Sequence, residues 1–143
     1  MIVVDTNLLL YAYNATSVHH ERARLWLEET LTGSGHVGLP WVVIFGFIRI
    51  GTDPRAHTEP FRVEEAAEIV TEWLARRNVI ALTPGPRHWD IVRELLIRGQ
   101  ARGPLAMDAH IAAHAIEHGA ILATNDRDFT RFEGLRVVNP VAG

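Results

Sequence analysis

A chain of 143 residues, 48% hydrophobic and 22% charged, has the balance of a globular protein and can bury roughly 68–70% of its unfolded surface. Its net charge of −3 argues against nucleic-acid binding by bulk charge, and no apolar run reaches the roughly 20 residues that span a bilayer. Cysteine is absent and all 14 cationic side chains are arginine, which excludes thiolate metal sites, thiol nucleophiles, Schiff-base lysines and the lysine of a P-loop.

One domain over residues 1–143 is expected. The lack of cysteine and of a basic, then apolar, leader at the N-terminus points to the cytoplasm. Met1–Val4 is a short β-branched run that reads as a buried strand. It stops at Asp5-Thr6-Asn7, where Thr6 is a candidate N-cap for a helix beginning at Leu8. Asp5 at the strand tip has two readings, a second helix cap or a ligand-facing carboxylate at the edge where parallel sheets bind. Ser17–Leu31 is an amphipathic helix that buries Ala23, Trp26, Leu27 and Leu31.

Gly33–Gly38 matches G-x-G-x-x-G letter for letter, but it follows a helix and leads into the strand His36–Leu39. A dinucleotide loop needs the reverse order, so the match is set aside. Trp41–Ile50 is apolar nearly all round and is expected to be buried, with Arg49 its one charge. Gly51–Pro60 is a polar connector. Val63–Arg77 is a helix turning Val63, Ala66, Ala67, Val70, Trp73 and Leu74 inward, its outer acidic run supported by a Glu72–Arg76 pair. Val79–Leu82 is a strand, followed by a helix carrying Trp89, Val92, Leu95 and Leu96, and then by the basic loop Arg98–Pro104.

Leu105–Ala115 has the composition of a buried helix, yet at about 100° per residue Asp108 points along its apolar side among Ile111, Ala112 and Ala115. An unpaired carboxylate there costs several kcal/mol unless a cation, an arginine or a proton compensates it. Ala120–Thr124 is the next strand, its tip reading Asn125-Asp126-Arg127-Asp128-Phe129, and Leu135–Val138 closes the chain as an edge strand. Strands alternating with helices imply an α/β fold with a parallel central sheet of about five strands and helices on both faces.

Parallel strands bring Asp5 and Asp126 to one edge, and Asp108 lies on the helix just before the second of these strands. Asp5, Asp108 and Asp126, with Asp128 nearby, would repel one another if all were ionised. A hard dication such as Mg²⁺ or Mn²⁺ resolves that conflict, and metal-assisted hydrolysis of a phosphodiester follows as the natural chemistry. His110, His114 and His118 run at i, i+4, i+8, a spacing that can hold zinc. They form a stripe turned away from Asp108, read as an exposed or subunit-interface face. Ser17 and Ser34 are the only serines and sit at helix ends, so a serine triad has little support.

The residues Asp5-Thr6-Asn7, Met107–Ala113 and Thr124–Phe129, in this order and spacing, resemble those of PIN domains of the VapC type, toxins of VapBC toxin–antitoxin pairs. The resemblance runs the whole length, through Pro40-Trp41, Phe47–Arg49 and Gly134–Val138. It implies a PIN-like fold and a Mg²⁺-dependent endoribonuclease acting on RNA. It also implies a homodimer held inactive by a VapB antitoxin, with no membrane association.

On that basis Asp5, Asp108 and Asp126 take the metal-ligand and catalytic roles, Asp128 joins them as a catalytic fourth, and Thr6 and Thr124 orient carboxylates. Arg49, Arg102 and Arg127 are candidates to meet RNA phosphates, and Tyr11, Tyr13 and the Trp41–Ile50 helix to meet the antitoxin. One departure stands out. Relatives of this kind generally carry Glu three residues before the arginine that is Arg49 here, whereas this chain has Gly46, and no other carboxylate in residues 40–50 replaces it. That leaves open one ion or two, and with it two other readings, a catalytically weak RNA- or partner-binding module and a metal-dependent DNA nuclease or phosphatase.

Overall fold

The computed structural model describes residues 1–143. Strands β1 (Ile2–Val4), β2 (Val37–Pro40), β3 (Val79–Leu82), β4 (Ile121–Ala123) and β5 (Arg136–Val138) form a single sheet in the order β3-β2-β1-β4-β5. Every neighbouring pair is parallel, as the helical connections required. Six helices flank it: α1 (Thr6–Tyr13), α2 (His20–Thr32), α3 (Trp41–Gly51), α4 (Val63–Ala75), α5 (His88–Arg98) and α6 (Leu105–Glu117). A 3₁₀ helix spans Arg127–Arg131.

The chain runs outward from β1 to β2 and β3, then returns through α5 and α6 to lay β4 against the other side of β1. The strand order therefore reverses between β1 and β4. Crevices beyond the C-terminal ends of strands at such a reversal are where open parallel sheets bind ligands. The register Val4↔Ala123 and the Asp5 N–H to Ala123 carbonyl bond of 2.9 Å set the two tips level. Val3, Val4, Leu122 and Ala123 are completely buried, as are Leu8 on α1 and Phe47 on α3. This dry centre holds the strand ends rigidly.

Several expectations are corrected at this level. The N-cap of α1 is Asp5, not Thr6; its Oδ1 accepts from the Thr6 N–H at 2.8 Å. Helix α2 starts at His20 rather than Ser17, because Ser17 is spent on a turn in which its hydroxyl and carbonyl accept from the His19 and His20 N–H groups. Helix α3 is not buried all round: it packs Val43, Ile44 and Phe47 inward, while Trp41 and Phe45, 40% and 61% exposed, lie together on the outer side.

In α4, Ala66, Val70 and Trp73 alone are fully buried; Val63 in the first turn, Ala67 and Leu74 are exposed. No Glu72–Arg76 ion pair forms, since Arg76 lies in the extended residue that caps the helix. Trp89, at the start of α5, is 64% exposed. Tyr13, at the end of α1, is 37% exposed and yet held in place. It packs edge-on to Phe47 and accepts from Trp73 Nε1 at 3.0 Å.

Candidate active site

Asp5 follows β1 directly and is buried, and both of its carboxylate oxygens are occupied. Oδ1 caps α1 through Thr6 N–H, while Oδ2 accepts from the Thr124 hydroxyl at 2.7 Å. Of the two readings of this residue the structure shows the helix cap, and the second oxygen is held by Thr124 at the end of β4. Burial pushes the Asp5 carboxyl above its ordinary range, and the bonds from Thr124 and Thr6 partly offset that.

Thr124 is the junction of the site. Completely buried at the tip of β4, its hydroxyl donates to Asp5 and accepts from the Asp126 N–H at 3.0 Å and Asn7 Nδ2 at 3.3 Å. The role expected for Thr124 holds. Thr6 acts through its backbone instead, its hydroxyl being turned to the Val43 carbonyl. Behind the junction, Asn125 donates to the Tyr11 hydroxyl and accepts from Asn139. A buried polar network with its members satisfied gives the loop after β4 one conformation.

That loop sets the remaining acids. Asp126 caps the 3₁₀ helix, its Oδ1 accepting from the Asp128 N–H at 2.8 Å, and the tight turn brings the Asp128 carboxylate back beside it. Asp108 comes from the first turn of α6, where the helix dipole favours an anion modestly. Carboxylate oxygens of Asp108, Asp126 and Asp128 lie within 4.8 Å of one another. Asp5 stands outside this trio, close enough to act on Asp108 and Asp126 through space.

The dilemma posed by Asp108 is visible in its electrostatics. Half-buried and accepting no hydrogen bond, it is raised to about 6 by burial first, and then by the charges of Asp126, Asp5 and Asp128. Arg131 alone opposes this, and it makes no ion pair with an aspartate; its guanidinium donates to the Gly99 carbonyl at 3.0 Å. Arg49, Arg102 and Arg127 are exposed at the surface and likewise form no ion pair with these aspartates. Asp108 is left to a proton or a cation.

The donor set suits a hard dication: oxygens only, anionic, open on one side. Around an ion with bonds of about 2.1 Å, neighbouring ligand oxygens stand about 3.0 Å apart and opposite ones about 4.2 Å, so a trio within 4.8 Å needs only small side-chain rotations to close on one ion. Gly46 explains the missing acidic corner. A Cβ at this position of α3 would lie 2.9 Å from Thr6 Oγ1, so the Thr6 hydroxyl fills that space.

Sequence reasoning placed the aspartates but missed Arg131, whose spacing carries no signal, and it misread the histidines. His114 is 1% exposed, and His110 faces His88 of α5 with His88 Nε2 and His110 Nδ1 2.8 Å apart. The stripe is a packed interface between α5 and α6, not an exposed face. His118 stands apart, its Nδ1 against the His114 carbonyl.

The family model for the PIN domain matches residues 2–135. Ribonuclease VapC37 of Mycobacterium tuberculosis is 40% identical over 142 residues, with 99% of each chain covered. Among solved structures, VapBC2 from Rickettsia felis bound to a promoter DNA fragment aligns with a TM-score of 0.69 at 21% identity, over 97% of this chain and 98% of that one. VapC20 of M. tuberculosis, a toxin that cleaves the sarcin–ricin loop, gives 0.67 at 22% identity, over 95% and 99%. The structural likenesses speak to the fold.

Proposed function

This chain belongs to the PIN-domain family and is a relative of the VapC ribonucleases; from that premise we propose that it is a divalent-cation-dependent endoribonuclease, the toxin of a type II toxin–antitoxin pair. The observation that carries the reading is the meeting of Asp108, Asp126 and Asp128 within 4.8 Å, with Asp5 beside them, where the strand order reverses. Capping accounts for Asp5 and Asp126 singly, but not for the carboxylates being brought together. Packing carboxylates together costs stability in a domain whose whole margin is about 5–15 kcal/mol.

In this reading Asp5, Asp108 and Asp126 hold Mg²⁺, for which Mn²⁺ substitutes, and Asp128 supplies a fourth carboxylate beside Asp108 and Asp126. A dication held there would supply polarisation of the scissile phosphate and a lowered pKa for an attacking water. Thr124 fixes Asp5 and the Asp126 backbone in one geometry before substrate arrives. The Asp126 turn aims Asp128, and the Arg131 cation at the pocket wall meets an RNA phosphate. Arg49, Arg102 and Arg127, exposed further out, add contacts to the RNA backbone that position it without reading sequence.

The chain acts as one domain, pairs with a second copy, and is silenced by a VapB-type antitoxin, by analogy with the VapBC assemblies it resembles. No helix is long and apolar enough to cross a membrane. The deciding experiment is cleavage of structured RNA in Mg²⁺ or Mn²⁺, repeated with EDTA and with Asp108→Asn. Loss of cleavage in both controls is expected; undiminished cleavage by Asp108→Asn overturns the assignment.

A further inference from the structure

On the far side of α6 from Asp108 a second set of donors meets. His110 and His114, one turn apart, stand roughly 200–240° round the helix from Asp108, and His88 turns in from the first residue of α5. The ring centroids are 4.8 Å (His88–His110), 4.6 Å (His88–His114) and 5.0 Å (His110–His114) apart. One nitrogen from each ring lies within 4.8 Å of the other two. We propose that His88, His110 and His114 form a binding site for a first-row transition-metal dication of the zinc type, separate from the carboxylate pocket.

Packing alone does not account for the cluster. A buried imidazole ordinarily satisfies both ring nitrogens, yet these three rings share one nitrogen–nitrogen bond between them, His88 Nε2 to His110 Nδ1 at 2.8 Å. Nδ1 of His88 and Nδ1 of His114 are buried without any hydrogen bond, in residues 7% and 1% exposed. A core position built for packing takes leucine at no such cost. Burial, together with the neighbouring imidazoles, pushes His114 down to about 4, which keeps the ring in its neutral, ligating form.

The surroundings have the character of a metal site's outer shell. The Glu117 side chain is 8% exposed, and its Oε1 lies 3.9 Å from His88 Nδ1. The same carboxylate is clamped by the Gly85 N–H at 3.0 Å and the Arg87 N–H at 2.9 Å, which anchors the entry to α5. At 3.9 Å the carboxylate makes no hydrogen bond to His88; a shift of about an ångström as the ring turns to the ion gives it the place of a carboxylate that fixes a ligating histidine's tautomer. Nitrogen-only donors favour zinc, copper, nickel or cobalt over magnesium.

The adjustment needed is small. Tetrahedral ligands at about 2.0–2.1 Å stand about 3.3 Å from one another. His88 Nε2 and His110 Nδ1 therefore part by about half an ångström, and the widest pair closes by about 1.5 Å, within side-chain rotation. The proton held between those two nitrogens moves to the far nitrogen of its own ring, His88 Nδ1 or His110 Nε2, so both rings stay neutral as the metal enters. The partly exposed edge of His110 is the way in.

Co²⁺ titration tests this, because four-coordinate Co²⁺ gives intense visible d–d bands. Excess Mg²⁺ is present to fill the carboxylate pocket, and Zn²⁺ serves as competitor. The expected result is saturable binding displaced by Zn²⁺ and unchanged in Asp108→Asn. In His110→Gln, whose position is partly exposed, affinity falls at least tenfold, and it falls likewise in His114→Leu. Glu117→Gln weakens binding by about tenfold, as loss of an outer-shell carboxylate does. Absence of the bands in the wild-type protein, equal affinity in His110→Gln, or loss on Asp108→Asn overturns the proposal. None of these readouts depends on ribonuclease activity.

Discussion

Asp108→Asn should stabilise the metal-free protein while destroying its function. In the folded chain the Asp108 carboxyl is raised from 3.8 to about 6, by burial first and by Asp126, Asp5 and Asp128 after it. The folded state therefore holds this proton more tightly than the unfolded chain. The favourable contribution is complete below about pH 4 and is lost as pH rises to about 6, beyond which the ionised group is a standing cost. Two units at about 1.4 kcal/mol each set a ceiling near 3 kcal/mol. Asp108 is only half-buried, so solvent screening reduces this to about 1–2 kcal/mol. Asparagine removes the charge at equal size, and Asp108 makes no hydrogen bond that the change would forfeit. For a chain of this length each kcal/mol moves Tm by about 3–4 °C. In EDTA at pH 8, thermal melts should show Asp108→Asn about 3–8 °C above wild type, with the gap closing toward pH 4. Added Mg²⁺ should then raise the wild-type Tm and leave the variant nearly unmoved. A variant no more stable than wild type at pH 8, or a gap that persists at pH 4, refutes the reasoning.

Thr124→Val should cost about 2–3 kcal/mol in chemical denaturation and abolish cleavage, because Asp5 Oδ2 and the Asp126 N–H both lose a buried partner; Thr124→Ser should retain most of each. Gly46→Ala should cost about 1 kcal/mol in denaturant melts, overpacking against Thr6 outweighing the gain in helix propensity. The same change in a Thr6→Ala background should be neutral or stabilising, and a cost undiminished there would show that Thr6 is not the obstacle. Glu117→Ala should destabilise by about 2–3 kcal/mol, since the Gly85 and Arg87 N–H groups lose their carboxylate; hydrogen exchange should speed first at the start of α5.

The parallel sheet was legible because short β-branched runs alternate with helices, and the four acids because Asp5 and Asp126 fall at strand tips, Asp108 on the apolar side of a helix and Asp128 two residues beyond Asp126. What misled was reading composition as burial. Trp41–Ile50 looked apolar all round, yet a helix flanking a sheet has an outer side, and Trp41 and Phe45 occupy it. The histidines failed for a different reason. His110 and His114 are visible as an i, i+4 pair, but His88 lies 22 residues earlier in the chain, and only the packing of α5 on α6 unites them. Long-range side-chain meetings between two helices have no period. Thr124 was legible as a helper of the acids, whereas its joint hold on Asn7, Asp5 and Asp126 depends on the β1–β4 register.

The helix α6 explains why two donor sets of opposite character can coexist in so small a chain. A helix that must lie against a sheet has room for polar atoms at its first turn, beyond the strand ends, and along the seam with a neighbouring helix. Asp108 uses the first place, where its neighbours are the carboxylates at the C-terminal edge of the sheet. His110 and His114 use the second, where their neighbours are alanines and another imidazole. The alanines at 109, 112, 113 and 115, all fully buried, let α6 approach the sheet closely, so its polar residues are held within narrow limits on both sides. Oxygen donors in the wet crevice select a hard cation, and nitrogen donors in the dry seam select a softer one. The helix sets them about 120–160° apart around its axis, so each site can be emptied without disturbing the other.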